Sequence, residues 1–411
     1  MSSETPEHSL GSLCLLVADC PHATPKWTDA GAVVLRNQNI KSGRLDLSSP
    51  SFTDEEHYRS RTRRAAPQGG DIVITREAPM GDVCRIPEGL RCCLGQRQVL
   101  LRPDPRKVDA RFLLFALQSP YLQYQIGWNE GTGSTVSNLR IPVLEALKVP
   151  TPHLSIQVEI ATTLGAIDDR IALLHETNAT LEAIAQALFK SWFVGFDPVR
   201  AKQQGVAPAG MDEATAALFP ASFEASTLGL LPRAWCAGTV EDLLQLAYGR
   251  ALKATDRTAG EVPVYGSGGI TGVHNEALVD TPTVIVGRKG TVGSLYWEDR
   301  PCFPIDTVFY VRPKVPLTFC FYQLGILGLK DMNTDGAVPG LNRGNVYRLP
   351  IAIPPPKVLV AFDKSANALR ARIFANVQHA QTLATLRDTL LPRLISGKLR
   401  LPKNEPELET T

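Results

Sequence analysis

The chain is written twice, and no other feature of the sequence limits its possible folds as much. Asp71-Ile-Val-Ile-Thr-Arg76-Glu-Ala-Pro-Met-Gly81 is answered by Thr283-Val-Ile-Val-Gly-Arg288-Lys-Gly-Thr-Val-Gly293: an apolar strand, an arginine, then a turn closing on glycine. Val99-Leu-Leu-Arg102-Pro103 is answered by Val308-Phe-Tyr-Val-Arg312-Pro313, and Val149-Pro150-Thr-Pro152 by Ile353-Pro354-Pro-Pro356. Thr180-Leu181 and Gly195 return as Thr382-Leu383 and Gly397, and the landmarks keep their order at offsets of 202–212. Two copies of one unit of about two hundred residues follow from this.

Each copy has a first part rich in glycine, proline and β-branched runs. Its turn signals stand at Gly69-Gly70, Pro79 and Gly131-Thr-Gly133, and in the second copy at Gly266-Ser-Gly-Gly269 and Gly336. A long helix follows. The first is expected from about Ser155 to Val194, with the stripe Ile160, Leu164, Ile167, Ile171, Leu174, Asn178, Leu181, Ala185, Leu188, Trp192. Those steps alternate four and three, an a/d heptad seam. The second is expected from about Val358 to Ser396, through Phe362, Ala366, Leu369, Ile373, Val377, Ala380, Leu383, Leu386, Leu390 and Leu394. Pro392 is expected to kink it or end it near Leu391. Gly195 and Gly397 stand where a C-terminal glycine would close each helix. A narrow apolar stripe has to be buried against a partner of similar length, and the nearest candidate is the other helix. About 38 residues at 1.5 Å each make a rod of roughly 57 Å, which would hold two globular parts apart. Packing of both helices inside one compact core is the alternative, although neither is apolar all round. Asn178 on the seam reads either as a register-fixing polar residue or as one tolerated near a bend.

Composition removes several classes. Hydrophobic residues are 44% and charged residues 20%, as in an ordinary soluble protein. No run approaches the ~18 apolar residues of a membrane span, and Met1-Ser2-Ser3-Glu4 lacks a signal-peptide pattern, so a cytoplasmic protein is expected. Eight cysteines without a CxxC pair suggest reduced, buried thiols. The net charge is only +2, but eleven Lys/Arg stand against five acids between His57 and Lys107. That excess suits either a polyanion or a solvated basic face.

Catalytic constellations are missing. There is no GxxxxGK[ST] phosphate loop, no GxSxG elbow and no acidic-Pro-Pro-aromatic tetrad, and no His or Cys reaches metal-ligand spacing. A non-catalytic role is the better reading, with no cofactor and no metal. Arg61, Arg63, Arg64, Arg76, Arg288, Lys289 and Arg343 lie in or beside Gly/Pro-turned loops. Arginine and lysine there could meet phosphates or base edges of a duplex.

Gly165-Ala-Ile-Asp-Asp-Arg-Ile171 and the run Asn178 to Val199, with Phe189-Lys-Ser-Trp-Phe-Val-Gly-Phe-Asp-Pro198, resemble the central helix of type I restriction–modification specificity subunits. So do Ala18-Asp19-Cys20-Pro21-His22-Ala23-Thr24-Pro25, Gly70-Asp71-Ile72, Val262-Pro-Val-Tyr-Gly-Ser-Gly-Gly-Ile270 and Leu391-Pro-Arg-Leu-Ile-Ser-Gly-Lys-Leu-Arg400. The resemblance implies an α+β fold with an internal two-fold repeat: two strand-rich target-recognition domains, each followed by a long helix, the helices paired as an antiparallel coiled coil. It divides the chain into recognition domain 1 (1–152), central helix (153–199), linker (200–235), recognition domain 2 (236–356), C-terminal helix (357–401) and a flexible tail (402–411). The implied function is non-catalytic: reading a bipartite, asymmetric site on double-stranded DNA. Two methyltransferase subunits would bring S-adenosylmethionine and methylate adenine N6 after base flipping, and ATP-driven restriction subunits could join. The helix-pair and subunit interface would be Ile167, Ile171, Leu174, Asn178, Leu181, Leu188, Trp192, Leu369, Ile373, Leu383 and Leu390. A coiled-coil scaffold without DNA recognition, or a single-chain methyltransferase or nuclease, are the competing readings. Salt-dependent DNA binding separates the first of these from the specificity role.

Overall fold

The apolar runs set off by turns become strands, and both copies assemble them in one order. The computed structural model describes residues 5–128, 138–332 and 340–402. The turns expected at Gly131-Thr-Gly133 and Gly336, and the tail beyond residue 402, lie outside them. The chain divides into two units, Met1–Leu173 with His379–Thr411, and Leu174–Gln378.

In the first unit, β1 (Cys14–Asp19), β2 (Ile72–Thr75), β3 (Val83–Arg85) and β4 (Gln98–Pro103) form an antiparallel sheet in the order β1-β4-β2-β3. In the second, β5 (Leu244–Tyr248), β6 (Thr283–Gly287), β7 (Leu295–Glu298) and β8 (Val308–Pro313) repeat that order as β5-β8-β6-β7. The registers match as well. Val99 of β4 faces Asp19 and Ile74, and Phe309 of β8 faces Tyr248 and Val286. The register of β4 on β1 shifts between Arg102 and Pro103, a local bulge that the matching strand pair of the second sheet lacks. A smaller mixed sheet accompanies each: Ser51–Thr53, Ala32–Leu35 and Cys92–Leu94 in the first unit, Gly269–His274, Val262–Gly266 and Phe303–Pro304 in the second.

One face of each main sheet is covered by a helix. Ile72, Ile74, Val99 and Leu101 pack with Phe112 and Phe115 of helix Ala110–Gln118, in a core that also takes Leu391, Leu394 and Ile395. Val284, Val286, Phe309 and Val311 pack with Phe319 and Leu324 of helix Leu317–Ile326, and with Phe189, Trp192, Phe193 and Phe362. Burying each such side chain contributes about 1.5–3 kcal/mol. The segment 200–235, expected as a linker, is itself folded. It holds the helices Asp197–Gln203 and Glu213–Ala217 and the hairpin Phe223–Ser226/Gly229–Pro232, and it buries Phe219, Leu231 and Trp235 in the second unit's core.

The long helices are α1 (Leu154–Lys190) and α2 (Pro356–Ile395). Beyond α1 a wider turn, Ser191–Gly195, carries the chain to Phe196. Phe196, not Gly195, takes the left-handed conformation at φ +54°, and its ring packs on Trp235 and Phe223 at 5.5 and 6.1 Å. Gly397 does take the expected positive φ, at +71°. Pro392 does not end α2 near Leu391: the helix continues to Ile395. Only about one turn lies beyond it, and buried Leu391, Leu394 and Ile395 hold that turn in the first unit's core.

Polar contacts fix how the helices pair within each unit. In the first, Arg387 Nη1 donates to Asp168 Oδ1 at 2.7 Å, and Arg44 donates to the Asp168 carbonyl. In the second, Asn376 Nδ2 donates to Asn178 Oδ1 at 2.8 Å and Arg370 Nη1 pairs with Glu182 Oε2 at 2.8 Å. Partner numbers fall on α2 as they rise on α1, so the pairing is antiparallel. On α1 the expected stripe is buried at Ile160, Leu164, Ile171, Leu174, Ala185 and, beyond its end, Trp192. Ile167, Asn178, Leu181, Leu188, Leu369, Ile373, Leu383 and Leu390 are half-buried. Two positions of the α2 stripe are corrected: Val377 and Leu386 are 43% and 46% exposed. Asn376 and Arg387 take those turns because they find Asn178 and Asp168 opposite.

All eight cysteines are free and six are buried; Cys14 is half-buried and Cys236 exposed. Burial pushes the thiols of Cys84, Cys92, Cys302 and Cys320 up to about 12, so they remain protonated and inert. Among the described residues, no helix is long and apolar enough to cross a membrane.

Candidate nucleic-acid interface

The seven basic residues named above do not share one setting. Arg61, at the end of helix Glu55–Arg61, is only 7% exposed. Its Nε and Nη atoms donate to the carbonyls of Leu94, Ala23, Pro21 and Gly95, which occupies four of the five guanidinium donors. Arg76 is likewise buried: Nη1 pairs with Asp19 Oδ1 at 2.7 Å, Nε donates to the Leu139 carbonyl and Nη2 to Asn138 Oδ1. The expectation that these two face DNA is revised, because their donors hold the loops together. Arg63 and Arg64 are exposed just beyond the same helix.

Arg288 follows β6 as Arg76 follows β2, and the backbone makes the equivalence strict. Arg76 N–H donates to the Arg97 carbonyl and Arg288 N–H to that of Thr307. Leu139 N–H donates to the Arg76 carbonyl and Leu341 N–H to that of Arg288, which aligns Leu139 with Leu341. Gly81 and Gly293 close the two turns with N–H bonds to Thr75 and Gly287. Both need positive φ, +90° and +70°, and a Cβ on Gly293 would lie 2.4 Å from the Leu329 backbone.

The side chains around these matched backbones differ. In the first unit, Arg76 meets Asp19, and Glu77 pairs with Arg97 Nε at 3.3 Å and accepts from Asn138. In the second, the places of Asp19, Glu77 and Arg97 are taken by Tyr248, Lys289 and Thr307. Two acids offset two bases in the first set; the second set carries +2. Arg288 Cζ lies 5.0 Å from the Tyr248 ring centroid and 5.8 Å from that of Phe309, and Nη1 donates to the Asp306 carbonyl. Arg343, in the first turn of helix Arg343–Tyr347, lies 4.9 Å from the same Tyr248 ring and 5.8 Å from Tyr347. Arg288 and Arg343 are half-buried, and Lys289 is exposed. Among the described residues no ion pair engages any of the three. Tyr248 itself is 50% exposed.

A second matched pair shows the same contrast. Arg102 grips buried Asp71 through two bonds of 2.9 and 2.8 Å, and this hydrogen bonding raises the arginine pKa further above its usual range. Arg312 instead lies over the Tyr310 ring at 5.4 Å and donates to its hydroxyl. Sequence reasoning missed Tyr248 here, and Asp168, Glu182, Arg370, Asn376 and Arg387 on the helices. The signal for Tyr248 was available: it ends the strand that aligns with the one ended by Asp19. The polar seam residues carried no comparable signal, since a heptad search weighs apolar positions only.

Among the described residues no group of His, Cys, Asp and Glu could hold a metal ion. A family model described as the type I restriction modification DNA specificity domain matches residues 29–183 and again 232–388. The chain is 24% identical over 369 residues to the type I restriction enzyme HindI specificity subunit of Haemophilus influenzae, covering 73% of this chain and 80% of that protein. It is 23% identical over 347 residues to the MjaIX specificity subunit of Methanocaldococcus jannaschii, covering 81% and 78%. Among solved structures, the S subunit of a type I restriction-modification system from M. genitalium shares the fold with a TM-score of 0.53. Its identity is 19%, and the match covers 96% of this chain and 97% of that one.

Proposed function

The chain belongs to the family of type I restriction modification DNA specificity proteins, and we propose that it is the non-catalytic subunit that selects the DNA site for a modification and restriction complex. One observation carries this reading: two recognition units of one fold present different side chains at matched positions. A protein built this way reads two unlike half-sites. Its target is bipartite, asymmetric and non-palindromic, unlike the site of a symmetric dimer. Two methyltransferase subunits supply S-adenosylmethionine chemistry at adenine N6, and restriction subunits supply ATP-driven cleavage. Within the first unit the paired helices offer them exposed apolar side chains at Leu173 and Leu386, each about half exposed.

Co-expression with the neighbouring methyltransferase gene, followed by mapping of methylated adenines across the host genome, tests the proposal. A two-part, asymmetric motif is expected. A palindromic motif refutes the twin-reader account. Methyl transfer from labelled S-adenosylmethionine by the isolated chain refutes the non-catalytic one.

A further inference from the structure

At one turn the same backbone carries a neutral set of side chains in the first unit and a net positive one in the second. In the second, two guanidinium groups stand against one tyrosine ring, at 5.0 and 4.9 Å, with Lys289 beside Arg288 in the chain. Among the described residues no carboxylate pairs with any of the three; Asp306 contributes its backbone carbonyl, and its exposed side chain forms no ion pair. Two guanidinium groups held against one ring without a counter-charge repel one another, and an anion between them would remove that repulsion. We propose that Arg288 and Arg343, stacked on Tyr248, together with exposed Lys289 next to Arg288 in the chain, form a clamp for a DNA backbone phosphodiester that only the second unit possesses. This rests on the DNA-reading function proposed above.

The geometry suits a phosphate better than a base edge. A base edge is neutral and would leave the three positive charges uncompensated. The Tyr248 ring is already engaged by two cations, which makes it a poor platform for stacking a base. Stacking holds each planar guanidinium in place, so little freedom is lost when its remaining donors grip phosphate oxygens. Gly249 lets the end of β5 approach the segment that leads into β8: a Cβ there would lie 2.1 Å from the Ile305 carbonyl oxygen. Arg250, exposed and one residue further on, extends the basic edge.

The first unit has closed the equivalent position. Asp19 takes the place of Tyr248 and neutralises Arg76, and Glu77 takes the place of Lys289. A phosphate approaching there would meet two carboxylates. The first unit must hold its stretch of backbone elsewhere, and exposed Arg63 and Arg64 are available.

The test uses the full-length chain and a mixed-sequence duplex, with affinity followed by fluorescence anisotropy over a series of salt concentrations. Tyr248→Asp transplants the first unit's carboxylate beside Arg288. It and Arg343→Ala should each weaken binding roughly tenfold. Each should also flatten the log–log salt dependence by about 0.9 for every phosphate that is no longer neutralised. Arg343→Lys should keep the slope, and Glu77→Gln in the first unit should change neither quantity. Lys289→Ala removes an exposed side chain and keeps the test valid if the other variants fold poorly; it too should flatten the slope. An unchanged slope in Lys289→Ala overturns the clamp. So does a relaxed sequence preference at constant slope, which would assign the cluster to base edges. If the unmodified chain binds no duplex, the DNA-reading function itself fails and the clamp with it.

Discussion

At the end of β1 the first unit has Asp19; at the same register of β5 the second has Tyr248. The matched arginines Arg102 and Arg312 differ likewise, Arg102 held by Asp71 and Arg312 lying over the Tyr310 ring, although these two partners come from different positions of the fold. One unit settles its arginines with carboxylates and the other with aromatic rings. A buried carboxylate pair spends the charge of both partners locally. A ring stabilises the cation by a smaller amount, about 0.5–1 kcal/mol at exposed sites, and leaves the charge available to an outside anion. Two copies of one fold have thereby become a closed turn and an open one, without altering the hydrogen bonds of the backbone.

The contrast fails most visibly if Arg76 proves dispensable. Arg76→Ala removes the ion pair with half-buried Asp19 and the bonds to Leu139 and Asn138, and should cost about 1.5–3 kcal/mol. Its counterpart Arg288→Ala, with no carboxylate to strand, should cost about 1 kcal/mol or less. Urea denaturation followed by tryptophan fluorescence and circular dichroism measures both; equal losses would remove the distinction.

A smaller effect is expected on the helices, where the second unit carries a neutral pair, Asn376–Asn178, beside its charged Arg370–Glu182 pair. Asn376→Leu leaves Asn178 Oδ1 without its donor and should cost about 1–2 kcal/mol. Replacing both asparagines by leucine should recover that loss, since the stranded group is gone. A double variant no more stable than Asn376→Leu would show that the pair does not act as a unit.

The smallest change in stability belongs to Arg63→Ala and Arg64→Ala. Both side chains are exposed, so the thermal midpoint should barely move, with changes within about 0.5 kcal/mol. Duplex affinity should fall, more at low salt than at high. A lowered midpoint would place these arginines with Arg61 in the loop framework.

The repeat and the two long helices were legible because they depend on periodic or repeated patterns. The state of each arginine was not. Arg76 and Arg288 follow the same strand and open the same turn, yet their fates are decided by a residue far off in the chain, 57 positions away for Arg76. Arg61 misled for a similar reason: the four carbonyls it serves come from two separate loops. On α2, Val377 and Leu386 satisfied the heptad rule, but the seam is occupied by Asn376 and Arg387, whose partners lie on the other helix. That α2 runs past Pro392 instead of ending near Leu391 was not legible, because the burial of the turn beyond it comes from tertiary contacts.

The division of the chain into units has a bearing on its synthesis. The second unit is one uninterrupted stretch, Leu174–Gln378, whereas the first combines Met1–Leu173 with His379–Thr411. A ribosome therefore delivers every residue of the later unit before the earlier one is complete. Leu391, Leu394 and Ile395, which belong to the first unit's core, emerge only after the whole of the second unit. Until then Ile160, Ala161 and Leu164 have no covering from that segment, and the half-built unit exposes apolar surface of the kind that chaperones recognise and that drives aggregation. The unit made first is the one finished last.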